Sequence, residues 1–168
     1  GAHLKKTVLE LGGSDAFIVL EDADLSYTVS NAVQSRYQNA GQSCVAAKRF
    51  IVADTIADAF VEALRAAVAE LQPGDPMMAE TRLAPMARFL LRNALHQQVE
   101  ASISAGAVPV IGCQLPNRSG CYYPASILDQ VQPGMRVFEE EVFGPVAAIV
   151  RVRDEEEALR LANATRYG

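Results

Sequence analysis

The stretch that decides the fold class is RFIVADTIADAFVEALRAAVAEL, residues 49–71. Its first five residues form an apolar run with the length and composition of a buried β-strand. Apolar residues then recur at the spacing of one face of an amphipathic helix, and these residues are Ile56, Phe60, Leu64, Val68 and Leu71. Asp54 and Thr55 are candidates for capping the start of this helix. The stretch therefore predicts a strand followed directly by a long helix.

The same alternation of strand and helix patterns extends in both directions. Apolar runs of strand length lie at 7–11, 16–20, 108–111, 122–128 and 146–152. Helical spacing of apolar residues marks 25–37, 86–104 and 155–164. Asp24 is expected to cap the first of these helices, and Asp154 with Glu157 forms a capping box for the last. Strands separated by helices of ten or more residues predict one α/β domain, a three-layer αβα arrangement with a largely parallel sheet.

The composition excludes several classes of function. The chain of 168 residues has 15 basic and 20 acidic side chains, a net charge of −5, and no run of lysine or arginine longer than two residues. This balance argues against a nucleic-acid or anionic-membrane partner. No stretch approaches the roughly 20 apolar residues that a membrane helix needs. Half of the residues are hydrophobic, which is too many for a disordered chain.

The cysteine content indicates a reducing compartment. Cys44, Cys113 and Cys121 cannot all pair, and none lies in a CxxC motif or a Cys/His cluster, so we expect no structural zinc site. Cys113 and Cys121 are close enough in sequence to bridge a short loop, but we expect both to be free thiols in a cytoplasmic protein.

Cys44 is the first candidate for chemistry because it follows NAGQS, residues 39–43, on a predicted turn between a helix and a strand. A thiol on a turn can be exposed, whereas a cysteine inside a strand is usually buried and inert. A free thiol is only a few per cent ionised at neutral pH, so a nucleophile here needs nearby N–H groups, a base or a cofactor charge. A small apolar filler at the turn is the alternative.

Two carboxylate positions are the other candidates. Glu10 lies within the apolar run TVLEL, residues 7–11, and two glycines follow it. Burial raises the pKa of a carboxylate toward the range that suits a general base, and a glutamate on the exposed face of an edge strand fits the same pattern equally well. The run EEEVFGPV, residues 139–146, is typical of a solvated loop, but it leads into a predicted strand. One of its carboxylates can therefore be held at a strand end, where open α/β sheets place ligands.

Together, LELGG (9–13), GQSC (41–44) and EEEVFGP (139–145) resemble the aldehyde dehydrogenase superfamily in motif, order and spacing. The resemblance covers the whole chain and implies the catalytic domain, well under half of a family member. The cofactor-binding domain and the oligomerisation strand would then lie outside residues 1–168. The stretch RYQNAGQSCVAAKRF, residues 36–50, is similar to bacterial succinate-semialdehyde dehydrogenases of the Sad type. Other succinate-semialdehyde enzymes carry an arginine at the position of Gln38 and often a second cysteine at that of Ala46.

The resemblance implies a role for five residues. Cys44 would be the nucleophile that attacks an aldehyde carbonyl, with its own backbone N–H as one oxyanion donor, and Glu10 would activate the water that hydrolyses the resulting thioester. Glu141 would bind the nicotinamide ribose hydroxyls of NAD or NADP, and Phe143 would pack beside the nicotinamide. Gly12 would belong to the same cofactor site.

The implied activity is oxidation of a small aldehyde, succinate semialdehyde to succinate, by a larger protein that forms a homo-oligomer, a dimer or a tetramer. We expect the 168-residue chain alone to show little turnover and Cys44 to be its most reactive thiol. Three alternatives stay open: a dehydrogenase for another short or medium-chain aldehyde, a cofactor-independent esterase or thioesterase that uses Cys44, and a non-catalytic structural relative.

Overall fold

The computed structural model describes residues 2–167, and its centre is a five-stranded sheet. The strands are β1 (Asp15–Val19), β2 (Ala47–Ala53), β3 (Val108–Ile111), β4 (Ser126–Asp129) and β5 (Val146–Val152). Their order across the sheet is β1-β2-β5-β4-β3. All neighbouring pairs are parallel except β3 with β4, which is antiparallel. The prediction of a largely parallel sheet is confirmed.

Helices cover both faces of the sheet. They are α1 (Leu25–Tyr37), α2 (Asp54–Ala69), α3 (Phe89–Ser104), α4 (Arg136–Glu139) and α5 (Glu155–Ala162), and a 3-10 turn, Gln38–Gly41, follows α1. Strand β2 is buried along its whole length, and its side chains alternate between two apolar clusters. Phe50 packs with α1 and α2, whereas Ile51 packs with α3, α4 and α5. This alternation gives the three layers that the sequence predicts.

The centre of the sheet joins distant parts of the chain. Arg49 to Ala53 of β2 are in register with Ala148 to Val152 of β5, about a hundred residues further on. The Arg49 side chain, 1% exposed, extends this connection beyond the strands. Its guanidinium donates to the Ser14 carbonyl (2.8 and 3.0 Å), just before β1, and to the carbonyls of Leu161 (2.7 Å) and Ala162 (2.9 Å) at the end of α5.

The strand predicted at 7–11 is wrong. Residues 4–12 are exposed and form no strand, and within residues 2–167 nothing pairs with this segment. Its apolar side chains, Val8, Leu9 and Leu11, are 81%, 70% and 78% exposed. An apolar pattern indicates that a surface is suited to being covered, but a strand also needs a partner for its backbone groups, and the described residues provide none here.

Helix caps and element ends differ in detail from the predictions. Asp24 caps α1 by accepting from the Tyr27 N–H (3.0 Å), and Asp154 caps α5 by accepting from the Glu157 N–H (2.8 Å), as predicted. The second half of the predicted capping box does not form, because Glu157 accepts from the Arg153 N–H (3.1 Å) and not from that of Asp154. Helix α2 instead begins without a side-chain cap. The strand expected at 122–128 is limited to Ser126–Asp129, the helix expected from residue 86 begins at Phe89, and the single turn α4 was not predicted.

Within the described residues, the helices are too short or too polar to cross a membrane. The same part of the chain contains no cluster of three or more metal-ligating side chains. Cys44, Cys113 and Cys121 are free thiols in the structure.

Candidate active site

The loops that precede β1, β2 and β5 meet at one edge of the sheet and form a cleft of about 520 Å³. We call this side the amino edge, because the four parallel strands all begin there. The five residues selected from the sequence all line the cleft, and these are Glu10, Gly12, Cys44, Glu141 and Phe143. Gln42 and Ser43 complete its wall. Parallel sheets usually bind ligands at the carboxyl ends of their strands, so this arrangement departs from the general rule.

Cys44 lies on the turn that connects the 3-10 turn to β2, as the sequence predicts, and it is partly exposed. The turn closes with a hydrogen bond from the Ala46 N–H to the Ser43 carbonyl (3.3 Å). Just before it, Asn39 and Ala40 both have a φ of 52°, in the left-handed region that residues other than glycine rarely adopt. Surrounding contacts must hold this strained backbone in place.

Lys48 holds the cysteine turn from below. Its side chain is fully buried, and its ammonium donates to the carbonyls of Ser43 (3.1 Å), Cys44 (2.7 Å) and Ala46 (3.0 Å). These three bonds use all three N–H donors of a lysine ammonium. Burial lowers the pKa of Lys48, and the neighbouring charge of Arg36 lowers it further, while Glu141 opposes the shift.

Arg36 is a second buried cation under the same turn. One of its guanidinium nitrogens donates to the Gly41 carbonyl, and its Nε and other terminal nitrogen have no hydrogen-bond partner within residues 2–167. Burial lowers the pKa of Arg36 to about 10. Gly41 has a φ of +71°, and a Cβ at this position would collide with the backbone of Gly144. The turn therefore packs backbone to backbone against the loop that precedes β5.

Glu141 is the one acid of the 139–141 run that faces the cleft. Its Oε1 lies 3.8 Å from the Lys48 Nζ, too far for a hydrogen bond, and this buried oxygen has no hydrogen-bond partner among the described residues. The reason is that the Lys48 protons are already committed to carbonyl oxygens. Glu139 and Glu140 face elsewhere, accepting from the Gly134 N–H (2.7 Å) and from Arg136 (2.7 Å), respectively.

Gly12 leaves the space that the Glu141 carboxylate occupies. Its φ is +83°, and a Cβ built there would collide with Glu141 Oε2. Any larger residue would strain the backbone and push the carboxylate out of its position. The Glu141 backbone N–H donates to the Tyr167 hydroxyl (3.2 Å), which ties this corner of the cleft to the segment after α5.

Glu10 lines the cleft from the exposed segment before Gly12. The interpretation of Glu10 as a desolvated carboxylate at a strand end is therefore wrong, since the residue is exposed and no strand forms there. The edge-strand alternative is wrong about the strand and right about the exposure. Phe143, which also lines the cleft, is partly buried.

Sequence reasoning missed the two buried cations, Lys48 and Arg36. The available signal for Lys48 was two adjacent cations, Lys48 and Arg49, at the start of a strand whose other residues are apolar, next to the cysteine turn. Other residues considered from the sequence lie outside the cleft. Cys113 is 3% exposed, and burial raises its pKa to about 11. Gln38 lines a different groove, together with Arg82.

A largely parallel α/β domain that brings a partly exposed cysteine and two carboxylates into one cleft has the groups that thiol-dependent catalysis requires. The model of the Aldehyde dehydrogenase family matches residues 1–168, and the chain belongs to this family.

Individual relatives agree with this assignment. The chain is 55% identical over 168 residues to the succinate semialdehyde dehydrogenase (NAD(P)+) Sad of Escherichia coli, covering 100% of this chain and 36% of the relative. It is 48% identical to a succinate-semialdehyde dehydrogenase (NADP(+)) of Deinococcus radiodurans, covering 100% and 35%.

The crystal structure of a succinate-semialdehyde dehydrogenase from Burkholderia pseudomallei superposes with a TM-score of 0.95 at 36% identity, over 99% of this chain and 35% of that one. The chain thus spans about a third of the length of these relatives.

Proposed function

We propose that this chain is the catalytic domain of an NAD(P)-dependent aldehyde dehydrogenase that oxidises succinate semialdehyde to succinate. The observation that carries the proposal is the meeting of Cys44, Glu10 and Glu141 in one cleft, from three loops that are distant in sequence. The relatives named for this activity, at 48% and 55% identity, support the substrate and the cofactor.

The cleft fits one corner of a dinucleotide. Glu141 has a buried oxygen without a hydrogen-bond partner, and the absence of a Cβ at Gly12 leaves room for its carboxylate. A carboxylate of this kind can accept hydrogen bonds from both hydroxyls of a ribose. Phe143, which lines the same cleft, supplies an apolar surface for a nicotinamide ring. When bound, NAD or NADP supplies the hydride acceptor.

The chain's own residues divide the remaining work. The Cys44 thiol loses its proton to solvent, and the resulting thiolate attacks the aldehyde carbonyl carbon. As the C–S bond forms, the C=O π electrons move to the carbonyl oxygen, which carries the negative charge near the Cys44 backbone N–H. After oxidation, Cys44 carries the acyl group as a thioester. Glu10 accepts a proton from water as the water oxygen attacks the thioester carbon, and the C–S bond breaks to release the carboxylic acid and the thiolate. The exposure of Glu10 gives that water access.

The complete protein in this proposal contains a cofactor-binding domain and an oligomerisation strand outside residues 1–168, and it assembles as a homo-oligomer, a dimer or a tetramer, in the cytoplasm. The relatives' greater length supports the additional domains. The three free thiols support the compartment.

The test is steady-state oxidation by the full-length protein with NAD or NADP, comparing succinate semialdehyde with butanal. We expect a higher kcat/KM for succinate semialdehyde and no dinucleotide reduction by Cys44→Ala. The 168-residue chain should show no dinucleotide reduction. A preference for butanal would contradict the substrate, and turnover that survives Cys44→Ala would contradict the mechanism.

A matched variant separates the dehydrogenase from a simple esterase that uses the same cysteine. Glu141→Gln keeps the size of the side chain and removes its charge. We expect it to raise the KM for the dinucleotide about tenfold or more while ester hydrolysis stays unchanged. An esterase needs no ribose-binding carboxylate, so ester hydrolysis by a full-length protein that reduces neither NAD nor NADP would favour that alternative. An unchanged dinucleotide KM in Glu141→Gln would contradict the role of Glu141 in binding the ribose.

A further inference from the structure

We propose that Lys48 is a positioning residue for the nucleophile: by holding the carbonyls around Cys44, it directs the Cys44 backbone N–H outward as an oxyanion donor. The proposal rests on Cys44 being the nucleophile of the proposed function. It assigns a role to a side chain that is fully buried and does not line the cleft.

The first step of the argument is the geometry of the peptide plane. In a trans peptide the C=O of one residue and the N–H of the next point in opposite directions, and the described residues contain no cis peptide bond. The Ser43 carbonyl faces the Lys48 ammonium at 3.1 Å, so the Cys44 N–H points away from it. The Cys44 carbonyl faces the same ammonium at 2.7 Å, so the Val45 N–H points away as well.

The second step is that these N–H groups remain available. Within residues 2–167, neither the Cys44 N–H nor the Val45 N–H donates to an acceptor of the protein. A buried N–H without a partner is uncommon, but this turn borders an open cleft, where water or a ligand can accept the bond. The turn therefore directs the N–H groups of Cys44 and Val45 toward the cleft, while its carbonyl groups face the buried Lys48 ammonium.

The third step is electrostatic. Lys48 and Arg36 place two buried cations beneath the turn, and Glu141 is the carboxylate that approaches Lys48 within 4 Å. A cation that binds a carbonyl oxygen polarises that peptide and strengthens its N–H as a donor. Negative charge that develops above the turn is stabilised by the N–H and by the field of the cations.

The identity of the side chain matters for this role. An ammonium offers three donors around one atom, and here they reach three carbonyls of one tight turn. A guanidinium spreads its donors over a plane and is wider, and a thioether such as methionine has no donor. Methionine can fill most of the same volume, which makes Lys48→Met the informative substitution.

The experiment compares two reactions of the same sulfur in the 168-residue chain. With p-nitrophenyl acetate, the sulfur attacks the carbonyl carbon, an oxyanion forms, and p-nitrophenolate leaves as its C–O bond breaks; the thiol proton goes to solvent. With iodoacetamide, the sulfur displaces iodide from carbon and no oxyanion forms. Peptide mass spectrometry gives the acylation and alkylation rates at Cys44, and Cys121 is the reference thiol in the same sample.

We expect the ratio of acylation to alkylation at Cys44 to exceed that at Cys121. In Lys48→Met this ratio should fall about 10- to 100-fold, a large part of what loss of an oxyanion donor removes, while alkylation changes little. Lys48→Arg, which keeps the charge and several donors, should lie between wild type and Lys48→Met. Arg151→Met is the matched control, because Arg151 is a largely buried cation (21% exposed) at the opposite end of the strands, and the ratio should not change.

Buried Cys113 reports whether a variant is folded, because it reacts only when the core opens. If Lys48→Met exposes Cys113, Lys48→Gln takes its place, and its ratio should also fall because two neutral donors cannot serve three carbonyls. An equal loss of acylation and alkylation in a folded variant would overturn the proposal. So would a wild-type ratio at Cys44 no higher than at Cys121.

No dinucleotide is present in this experiment, so its outcome is separable from that of the proposed function. Selective acylation of Cys44 in a protein that never reduces NAD or NADP would contradict the dehydrogenase and leave the role of Lys48 intact. A working dehydrogenase in which Lys48→Met leaves the ratio unchanged would contradict only the role of Lys48.

Discussion

The two ends of the parallel strands use buried cations in opposite ways. At the amino edge, the adjacent residues Lys48 and Arg49 of β2 donate every one of their hydrogen bonds to backbone carbonyls. At the other end, which we call the carboxyl edge, Arg151 of β5 pairs with Asp129 (2.7 Å) and Asp58 (2.8 Å). These carboxylates raise the pKa of Arg151.

The difference shows how the amino edge retains polar groups without hydrogen-bond partners among the described residues. A cation that pairs with carboxylates is neutralised, and the groups around it have no unmet capacity. A cation that binds carbonyls keeps its charge, leaves nearby carboxylates such as Glu141 without a hydrogen bond, and turns peptide N–H groups outward. The amino edge therefore keeps polar groups available to a ligand, whereas at the carboxyl edge the charged groups pair with one another.

The largest expected effect tests whether carbonyl-bound cations are the more stabilising kind. Arg49→Met should lower the free energy of unfolding by about 4 kcal/mol, since three carbonyls, two in buried hydrogen bonds and one in a partly buried bond, lose their charged donor. Arg151→Met should lower it by about 2 kcal/mol, because the pair is partly exposed and water can replace part of it. Urea unfolding followed by circular dichroism measures both, and equal losses would remove this distinction between the edges.

A smaller effect tests the backbone contact at the amino edge. Gly41→Ala should cost about 3 kcal/mol, since it combines a positive φ with a collision against the Gly144 backbone. Gly134, at the carboxyl edge, has a φ of +91° with nothing near its missing Cβ, so Gly134→Ala should cost only about 1 kcal/mol. The same unfolding measurement applies. Similar costs at both glycines would mean that the contact between the cysteine turn and the 144 loop is loose.

The smallest expected effect concerns the pH dependence of stability that the buried thiol Cys113 produces. Burial raises the pKa of Cys113 to about 11, above its value of about 9 in an unfolded chain. Because the folded-state pKa is the higher one, the stability from burying this thiol is fully present below pH 9 and is lost as the pH rises toward 11. Between pH 8 and pH 10, wild type should therefore lose about 1 kcal/mol more than Cys113→Ala.

Alkylation of the folded protein gives the matching kinetic measurement for Cys113. At pH 8, iodoacetamide should modify Cys44, which is partly exposed, well before Cys113. Labelling of Cys113 first would contradict both its burial and the expected reactivity of Cys44.

Much of the fold could be predicted from the sequence because its elements carry their own signals. The helix of 54–69 has an apolar stripe, and β5 is apolar at every position except Arg151, a composition typical of a buried strand. The segment 7–11 carries the same apolar signal and forms no strand. The local pattern therefore identifies a surface that is suited to burial. Whether that surface is covered depends on which other segments lie beside it in three dimensions.

The residues that line the candidate site could be predicted from the sequence, but the buried residue that holds the cysteine turn could not. Cys44, Glu141 and Gly12 belong to motifs, and the structure brings them into one cleft. Lys48 was not predictable as a buried group, because a lysine is almost never fully buried and its partners here are carbonyls, which every residue has. Backbone acceptors leave no mark on a sequence, so the residues that bind them are visible only in three dimensions.

The pairing of β2 with β5 determines when in folding the residues of the cleft come together. Lys48 and Cys44 belong to the first third of the chain, whereas Glu141 arrives with a strand about a hundred residues further on. Contacts over such separations form late in folding, because closing the intervening loop is slow. During synthesis the thiol therefore emerges well before the carboxylate that faces it, and the cleft is assembled only when the central strands close.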